Sequence, residues 1–352
     1  MTLATTWAQT WCVPRAPSDR RPQRRRSAAL PVAAAAGGHV PVLLPELLAA
    51  LRPVAGEAAV DGTLGAGGVT RALCDHVLPG GRVLALDRDP AAISRAREGL
   101  AAYGPAVVLE HASFGDLEAV AQRHDLRPDI ITFDLGVSSL QLGDPARGFS
   151  LRQPGPLDMR FDPAGGAVSA ADLVNTLEQG ELARLIRTYG GERFAGSIAA
   201  RIVRRRASAP LTSTSELAAC CESAIPRRFW PRHIHPATRT FQALRIVVND
   251  ELGELERGLA AAIRILRPGG RLGVIAFHAL EDTAVKRLLS NLARVCVCPP
   301  LQPLCTCAHR ATLSLPTRRA TMPSVAERTR NPRARSARLR VAVRLDADPP
   351  AV

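Results

Sequence analysis

Three short apolar runs end in an aspartate: Ala58-Ala-Val-Asp61, Arg82-Val-Leu-Ala-Leu-Asp87 and Asp129-Ile-Ile-Thr-Phe-Asp134. The first leads straight into Gly62-Thr-Leu-Gly-Ala-Gly-Gly68. A strand, a glycine turn and a helix in that order let the backbone approach a ligand and aim helix N-terminal amides at it. Asp87 closes the next strand, about 20 residues on, where an acid accepts both hydroxyls of a ribose. The pattern predicts a cofactor that contains adenosine. The dinucleotide form G-x-G-x-x-G is not met, because Thr70 holds the last position counted from Gly65. S-adenosylmethionine has a cationic sulfonium and an amino-acid tail but no pyrophosphate, and it suits the acids better. Asp61 and the turn match the tail, Asp87 the ribose, and Asp134 the methyl end, with Leu135–Ser139 bending over the site.

Elements that must position these acids follow from periodicity. Strands are expected at 58–61, 82–87, 107–110, 129–134 and 272–277, with a last edge strand at 339–345. Helices are expected at 70–77, 90–100, around 114–123, 251–266 and 280–295. In the long helix, Leu252, Leu255, Leu259, Ile263 and Leu266 repeat at helical spacing. Apolar strands alternating with helices predict an α/β fold with a doubly wound, mainly parallel sheet, in which ligands bind at the carboxyl ends of the strands. Residues 142–238 are too long for one crossover and helical in pattern, near 170–176, 179–189, 192–208 and 213–224. They are read as an inserted helical substrate domain. The expected organisation is a leader at 1–38, the first part of the sheet domain at 39–141, the insert at 142–238, and the second part with a basic C-terminal segment at 239–352.

The chain has 352 residues, 46% of them hydrophobic, and a net charge of +14. No run of eighteen apolar residues is present, so no membrane span is expected. Lys286 is the only lysine, a usage that coding bias explains. The positive charge gathers at the two ends. Residues 1–38 hold six arginines and one acid, and residues 309–345 hold ten arginines and one acid. The first of these segments is rich in Arg, Ser, Thr and Ala and has no secretory apolar core, the composition of an organellar transit peptide. Pro14, Pro17 and Pro22 weaken an amphipathic helix, which favours plastid over mitochondrion; a basic arm that stays attached is the alternative. Phosphates are the functional partner of such charge, solvation the plain one.

Cys296-x-Cys298-Pro-Pro-Leu-Gln-Pro-Leu-Cys305-x-Cys307 gathers four of the eight cysteines. Four thiolates so placed suit a structural zinc, with free thiols or disulfides as alternatives.

Ten segments together resemble the S-adenosylmethionine-dependent methyltransferases that modify the exocyclic N4 of a cytidine in the decoding region of small-subunit ribosomal RNA. They are His39-Val-Pro-Val-Leu-Leu, the glycine turn from Asp61, Asp87-Arg-Asp-Pro, Asp134-Leu-Gly-Val-Ser-Ser-Leu-Gln-Leu, Arg147-Gly-Phe-Ser, Gly155-Pro-Leu-Asp-Met-Arg, Glu192-Arg-Phe-Ala, His235 to Ile246, Phe277-His-Ala-Leu-Glu-Asp and Asn331 to Arg340. The resemblance implies a methyltransferase domain with a helical insert after the fourth strand. It also implies cofactor contacts at Gly67, Gly68, Val69, Asp87, Phe114, Asp134 and Gln141. Val69 stands where the family usually has His, Ala279 where Ser is common and Leu140 where Pro is common.

The cytidine amine is a poor nucleophile, because its lone pair is delocalised into the ring. Asp134, or the carbonyls of Leu135–Gly136, would accept its N–H and orient it; binding the cofactor alone is the plainer role for Asp134. A base in folded RNA must be splayed out to react. Asp158 is a candidate for the cytosine edge and Arg160 for a phosphate, unless the two pair with each other. His235 and Arg239 are candidates for the cleft, with His235 otherwise structural. The insert arginines Arg201, Arg204, Arg205, Arg206, Arg227, Arg228, Arg232 and Arg239 would meet phosphates or merely be solvated. Two other readings are weighed: a nicotinamide-dependent oxidoreductase, which leaves most of these motifs unexplained, and a catalytically inactive RNA-binding assembly factor.

Overall fold

The computed structural model describes residues 41–299, 302, 304–307 and 309–346. The expected transit peptide, and His39 and Val40 of the first family motif, lie outside the described residues. The chain runs α1 (Leu44–Leu51), β1 (Ala58–Asp61), α2 (Gly68–Val77), β2 (Arg82–Asp87), α3 (Pro90–Leu100), β3 (Val107–His111), α4 (Leu117–Arg123) and β4 (Ile130–Asp134). Six helices follow: α5 (Ser139–Gly143), α6 (Ala170–Thr176), α7 (Gln179–Gly190), α8 (Ala195–Arg206), α9 (Thr214–Ala224) and α10 (Thr238–Val248). The sheet then resumes through α11 (Glu251–Ile265), β5 (Arg271–Ala276), α12 (Ala279–Leu292), β6 (Leu313–Ser314), α13 (Val325–Arg330) and β7 (Arg338–Arg344).

The seven strands lie in the order β3-β2-β1-β4-β5-β7-β6. The first five are parallel, and β7 runs antiparallel to both neighbours. The sequence reading makes the last strand an edge. Instead β6 pairs with its outer side, Leu313 opposite Arg344, so β7 is interior. A two-residue strand is too short to leave a period-2 signal, which is why β6 escapes the sequence. The order reverses between β1 and β4, and at such a switch point a crevice opens beyond the carboxyl ends of the strands. Asp61, Asp87 and Asp134 are the last residues of β1, β2 and β4.

Alternation along each strand decides which helices cover the sheet. Leu84, Leu86, Ile131, Phe133, Leu272 and Val274 pack with α4, α11 and α12. Val83, Ile130 and Ile275 face the other way, against α1 and α2. At Gly273 a Cβ would stand 2.6 Å from Leu47 Cδ1, so only glycine lets α1 lie this close to β5. Among the described residues no helix is long and apolar enough to cross a membrane.

The helices α6–α10 enclose a core of their own around Ile186, Ile198, Ile202, Leu217 and Leu244. This core takes in α10, which lies mostly beyond residue 238. The β-branched residues of α10, from Thr238 to Val248, mask its helical signal. Buried Asn249, just after α10, ties the loop before α6 to it. Its Nδ2 donates to the carbonyls of Met159 (2.8 Å) and Arg245 (2.9 Å), and its Oδ1 accepts from the Phe161 amide (2.7 Å). Gly190 lets α7 touch α10, since a Cβ there would stand 2.5 Å from the Arg239 carbonyl oxygen. Gly190→Ala forces backbone apart, and a loss of about 1–3 kcal/mol in unfolding free energy is expected. Denaturant titration checks this; an unchanged midpoint would show that the two helices shift apart freely.

Candidate active site

A cavity of about 750 Å³ opens where the strand order reverses. One wall is the glycine turn with Asp87; the floor is Asp134 with Leu135 and Gly136. The opposite wall comes from α10, α11 and the start of α12, through Phe241, Arg245, Glu251, Phe277, His278 and Glu281. Phe149 and Phe161, stacked with ring centroids 5.7 Å apart, close the side toward the helical core.

Each acid is handled differently. Asp61 is fully buried and does not reach the cavity. Its Oδ1 accepts from the Thr63 amide (3.1 Å) and its Oδ2 from the Thr70 hydroxyl (2.7 Å). It holds the turn, where the sequence reading had it facing the cofactor's tail. The Thr63 hydroxyl in turn accepts from the Asp134 amide at 2.6 Å, joining β1 to β4. Asp87 fixes the turn with Oδ2, which accepts from the Gly65 amide (2.8 Å), and Oδ1 accepts from the Asp89 amide (2.8 Å). Each oxygen keeps a lone pair for a ligand hydroxyl. Burial pushes the Asp87 carboxyl up to about 6 against these two amides.

Asp134 is the outlier. Its Oδ1 is buried and has no hydrogen-bond partner. Burial, then the negative charges of Asp61 and Glu281, push its carboxyl up to about 8. Glu281 moves the other way. Burial works to raise it, but His278, Arg245 and the Phe277 amide outweigh burial and hold it below the usual carboxylate range. Its Oε2 accepts from the Phe277 amide (2.8 Å), and His278 Nε2 lies 3.0 Å from its Oε1. Two carboxyls on one cavity are thus driven apart in acidity, the arrangement that separates acid and base roles. Beside them Arg245 is clamped to Glu251 by two bonds of 2.6 and 2.8 Å.

Of the residues expected to touch a cofactor, Gly68, Val69, Asp87, Phe114, Asp134 and Gln141 line the cavity. Gly67 stands just behind the wall. It has φ +77° at the N-cap of α2, a backbone state that favours glycine. The Val69 side chain belongs to the core beneath α2, so a histidine's polar tip is not replaced there. Phe114 packs on Phe133, with ring centroids 5.1 Å apart. Gln141 spends its polar atoms on the chain. Its Oε1 accepts from the Ser138 amide (2.9 Å), and its Nε2 donates to Asp89 Oδ2 (2.9 Å).

The expected substrate contacts fall elsewhere. Asp158 and Arg160 pair with each other at 2.6 Å, and Arg160 holds the Asp158 carboxyl low against the burial that would raise it. Neither lines the cavity; Met159 between them does, at φ +63°. His235 lies 2.9 Å from Glu222, and Arg239 lies 3.7 Å from buried Glu192 beside a smaller pocket of about 290 Å³. The four clustered cysteines gather outside the cavity wall. The C-terminal basic segment is no loose tail. Arg338 and Arg340 both bond Asp282 at 2.7 Å, and Asn331, Pro332, Arg333 and Ser336 line the cavity. Sequence reasoning placed no role on Arg245, Glu251 or Glu281. The signal for Glu281 was present: β5 has no terminal acid, and Glu281 stands at the third position of the helix that follows.

A family model described as the MraW methylase family matches residues 36–345. The chain belongs to the MraW methylase family. It is 51% identical over 311 residues to "Ribosomal RNA small subunit methyltransferase H" of Thermomicrobium roseum, covering 88% of this chain and 94% of that one. It is 46% identical over 308 residues to the protein of the same name from Syntrophotalea carbinolica, covering 87% and 98%. Among solved structures it is similar to an rRNA methylase from Streptococcus thermophilus, with a TM-score of 0.37 and 11% identity over 86% of this chain and 94% of that one.

The methyl donor of this MraW-family chain is S-adenosylmethionine. The cavity suits it on its own terms. The Asp134 carboxyl, whose Oδ1 lacks a partner, would hold a sulfonium cation, and the open lone pairs of Asp87 would hold a ribose. An acid kept protonated by the fold, yet ionised in the unfolded chain above an ordinary value of about 4, lowers stability as pH rises. Relative to Asp134→Asn, the ligand-free wild type should therefore lose stability between roughly pH 4 and about 8, with a slope approaching about 1.4 kcal/mol per pH unit. Denaturant titrations of both proteins across that range check this. Parallel curves would mean that Asp134 is already ionised in the fold.

Proposed function

We propose that this protein transfers a methyl group from S-adenosylmethionine to the exocyclic N4 of a cytidine in the decoding region of small-subunit ribosomal RNA. The observation that carries the reading is the unpartnered Asp134 Oδ1 at the floor of a cavity that phenylalanines also line. The relatives named for small-subunit ribosomal RNA, and the ten matching segments, support the substrate.

Bound S-adenosylmethionine supplies an electrophilic methyl group next to a nucleophile. The chain supplies the rest. Phe149, Phe161, Phe241 and Phe277 offer flat faces to a base splayed out of its RNA. Asp134 accepts an N–H of the exocyclic amine and so fixes the direction of its lone pair. Only the ionised carboxylate has both oxygens free to accept, and a cation against it brings its acidity back toward the ordinary range. Asp134 is then competent when the donor is in place, and it takes the proton that the methylated nitrogen gives up. Glu281, held ionised by His278 and Arg245, keeps the cavity negative and favours the donor's charge.

RNA approaches from the helical core and the mouth of the cavity. Arg201, Arg204 and Arg232 are exposed and make no hydrogen bond or ion pair among the described residues. Arg193 stacks on Phe194 and Phe229, and Arg227 lies over Trp230, so these guanidiniums stay at the surface over aromatic rings. The composition of residues 1–38 supports import into an organelle, the plastid ahead of the mitochondrion. Fusion of that segment to a fluorescent protein reads the destination directly.

Organellar ribosomal RNA from cells lacking this gene should lose N4-methylcytidine at one decoding-region position, and wild-type protein should restore it. Asp134→Asn should fail to restore it, with turnover down about 10²-fold or more while S-adenosylmethionine still binds. Methylation that persists without the gene sinks the substrate; a variant that loses only cofactor affinity assigns Asp134 to binding. Replacing Arg201, Arg204 and Arg232 by Ala should weaken RNA binding alike for all sequences and reduce the salt slope by about 2, at about 0.7 per lost phosphate contact to single strands. An unchanged slope would leave those arginines in solvent.

A further inference from the structure

Among its described residues, the stretch between α12 and β6 has no apolar core to hold it. It leaves at Leu292, whose carbonyl accepts from the Thr312 amide at 2.9 Å, so the excursion starts and ends at one point. Among its described residues three large apolar side chains face solvent: Val295 is 79% exposed, Val297 47% and Leu304 78%. Gln302 shapes the turn, its amide donating to the Pro299 carbonyl (3.0 Å) and its Nε2 to the Thr306 hydroxyl (2.7 Å). Yet four sulfurs meet inside this excursion. Sγ of Cys296, Cys298, Cys305 and Cys307 all lie within 4.8 Å of one another. Cys296 is 3.5 Å from Cys305 and 3.7 Å from Cys307; Cys305 is 3.5 Å from Cys307 and 4.0 Å from Cys298.

Those separations are informative. A disulfide needs about 2.05 Å, so no pair is bonded. Four sulfurs at about 2.3 Å from a central zinc stand about 3.8 Å apart along the edges of a tetrahedron. The observed distances bracket that edge. The Cys298 amide also points at Cys296 Sγ (3.4 Å), a bond that stabilises a thiolate. The loop thus has the geometry of a closed tetrathiolate site and lacks the burial that would otherwise order it.

We infer that Cys296, Cys298, Cys305 and Cys307 bind one zinc ion as four thiolates, and that this ion takes the place of a hydrophobic core for the described residues between α12 and β6. Each thiol gives up its proton on binding, and no electron is exchanged. With no position left open, the ion is structural. It braces the C-terminal end of α12, the helix whose first turn carries Glu281 into the cavity.

The test is metal analysis of the full chain purified with a reductant and without chelator. One zinc per chain is expected, and at least tenfold less in Cys305→Ser/Cys307→Ser. Cobalt substitution should give the intense visible bands of a tetrahedral tetrathiolate, absent from the variant. Should the variant fail to fold, titrating the wild type with a mercurial should release one equivalent of zinc. Folded wild-type protein without zinc, or with iron in its place, overturns the assignment. So does equal zinc in the variant, or four of these cysteines protected from alkylation until reduced.

Discussion

Negative charge confined at one edge of a sheet is the constraint on which the rest of this molecule depends. Parallel strands deliver Asp61, Asp87 and Asp134 to neighbouring positions, and α12 adds Glu281. Buried like charges repel strongly, and the protein distributes the difficulty unequally. Asp61 accepts from a hydroxyl and an amide, Asp87 from two amides, and Glu281 is held ionised by His278 and Arg245. Asp134 receives no partner on Oδ1 and is left to hold its proton. A group this poorly satisfied destabilises the empty fold. A cation placed beside it would relieve that cost.

A second carboxylate converts that edge into a joint with the helical core. Asp89 caps α3 through the Ala91 amide (3.0 Å) and accepts from Gln141 (2.9 Å) and Arg147 (2.6 Å). Arg147 also donates to the carbonyls of Arg160 (3.0 Å) and Phe161 (2.8 Å). One buried anion thus connects the cofactor side, the α5 turn and the loop that carries the aromatic wall. Removing one partner of such a pair leaves a buried charge behind, which typically costs about 3–5 kcal/mol. The glycine turn and the aromatic wall therefore hold a fixed relation that neither could keep alone.

How far the sequence exposes this depends on range. The sheet was legible because each strand is a continuous apolar run, and its acids were legible because they end those runs. The α10 helix was not, since a helix rich in Thr, Ile and Val follows local propensity poorly and forms because Phe241 and Leu244 have a core to enter. Gly68, Asp87, Phe114 and Gln141 were placed by motif, and the structure brings them to one cavity. Asp158 and Arg160 show the limit. Two residues apart in a loop, they satisfy each other through three short contacts, and no spacing rule tells such a pair from one aimed at a ligand. The Arg245–Glu251 clamp is also short in sequence, but it becomes part of a site only when α12 arrives from the far side of β5.

Net charge is the feature most easily misread. A total of +14 suggests a surface built for phosphate, yet several of the arginines work inside. Arg147 and Arg245 are buried against Asp89 and Glu251, Arg338 and Arg340 share Asp282, and Arg344 reaches the carbonyls that end α11. Each of these arginines that faces an acid cancels with it in the net charge, and Arg344 meets helix-end carbonyls, so the excess of +14 is carried largely by other arginines. What a polyanion meets is the remainder, such as exposed Arg201, Arg204 and Arg232. Position sharpens this further. Asn331, Arg333 and Ser336 return from the C-terminal segment to line the cavity, so part of the basic segment is folded back onto the site.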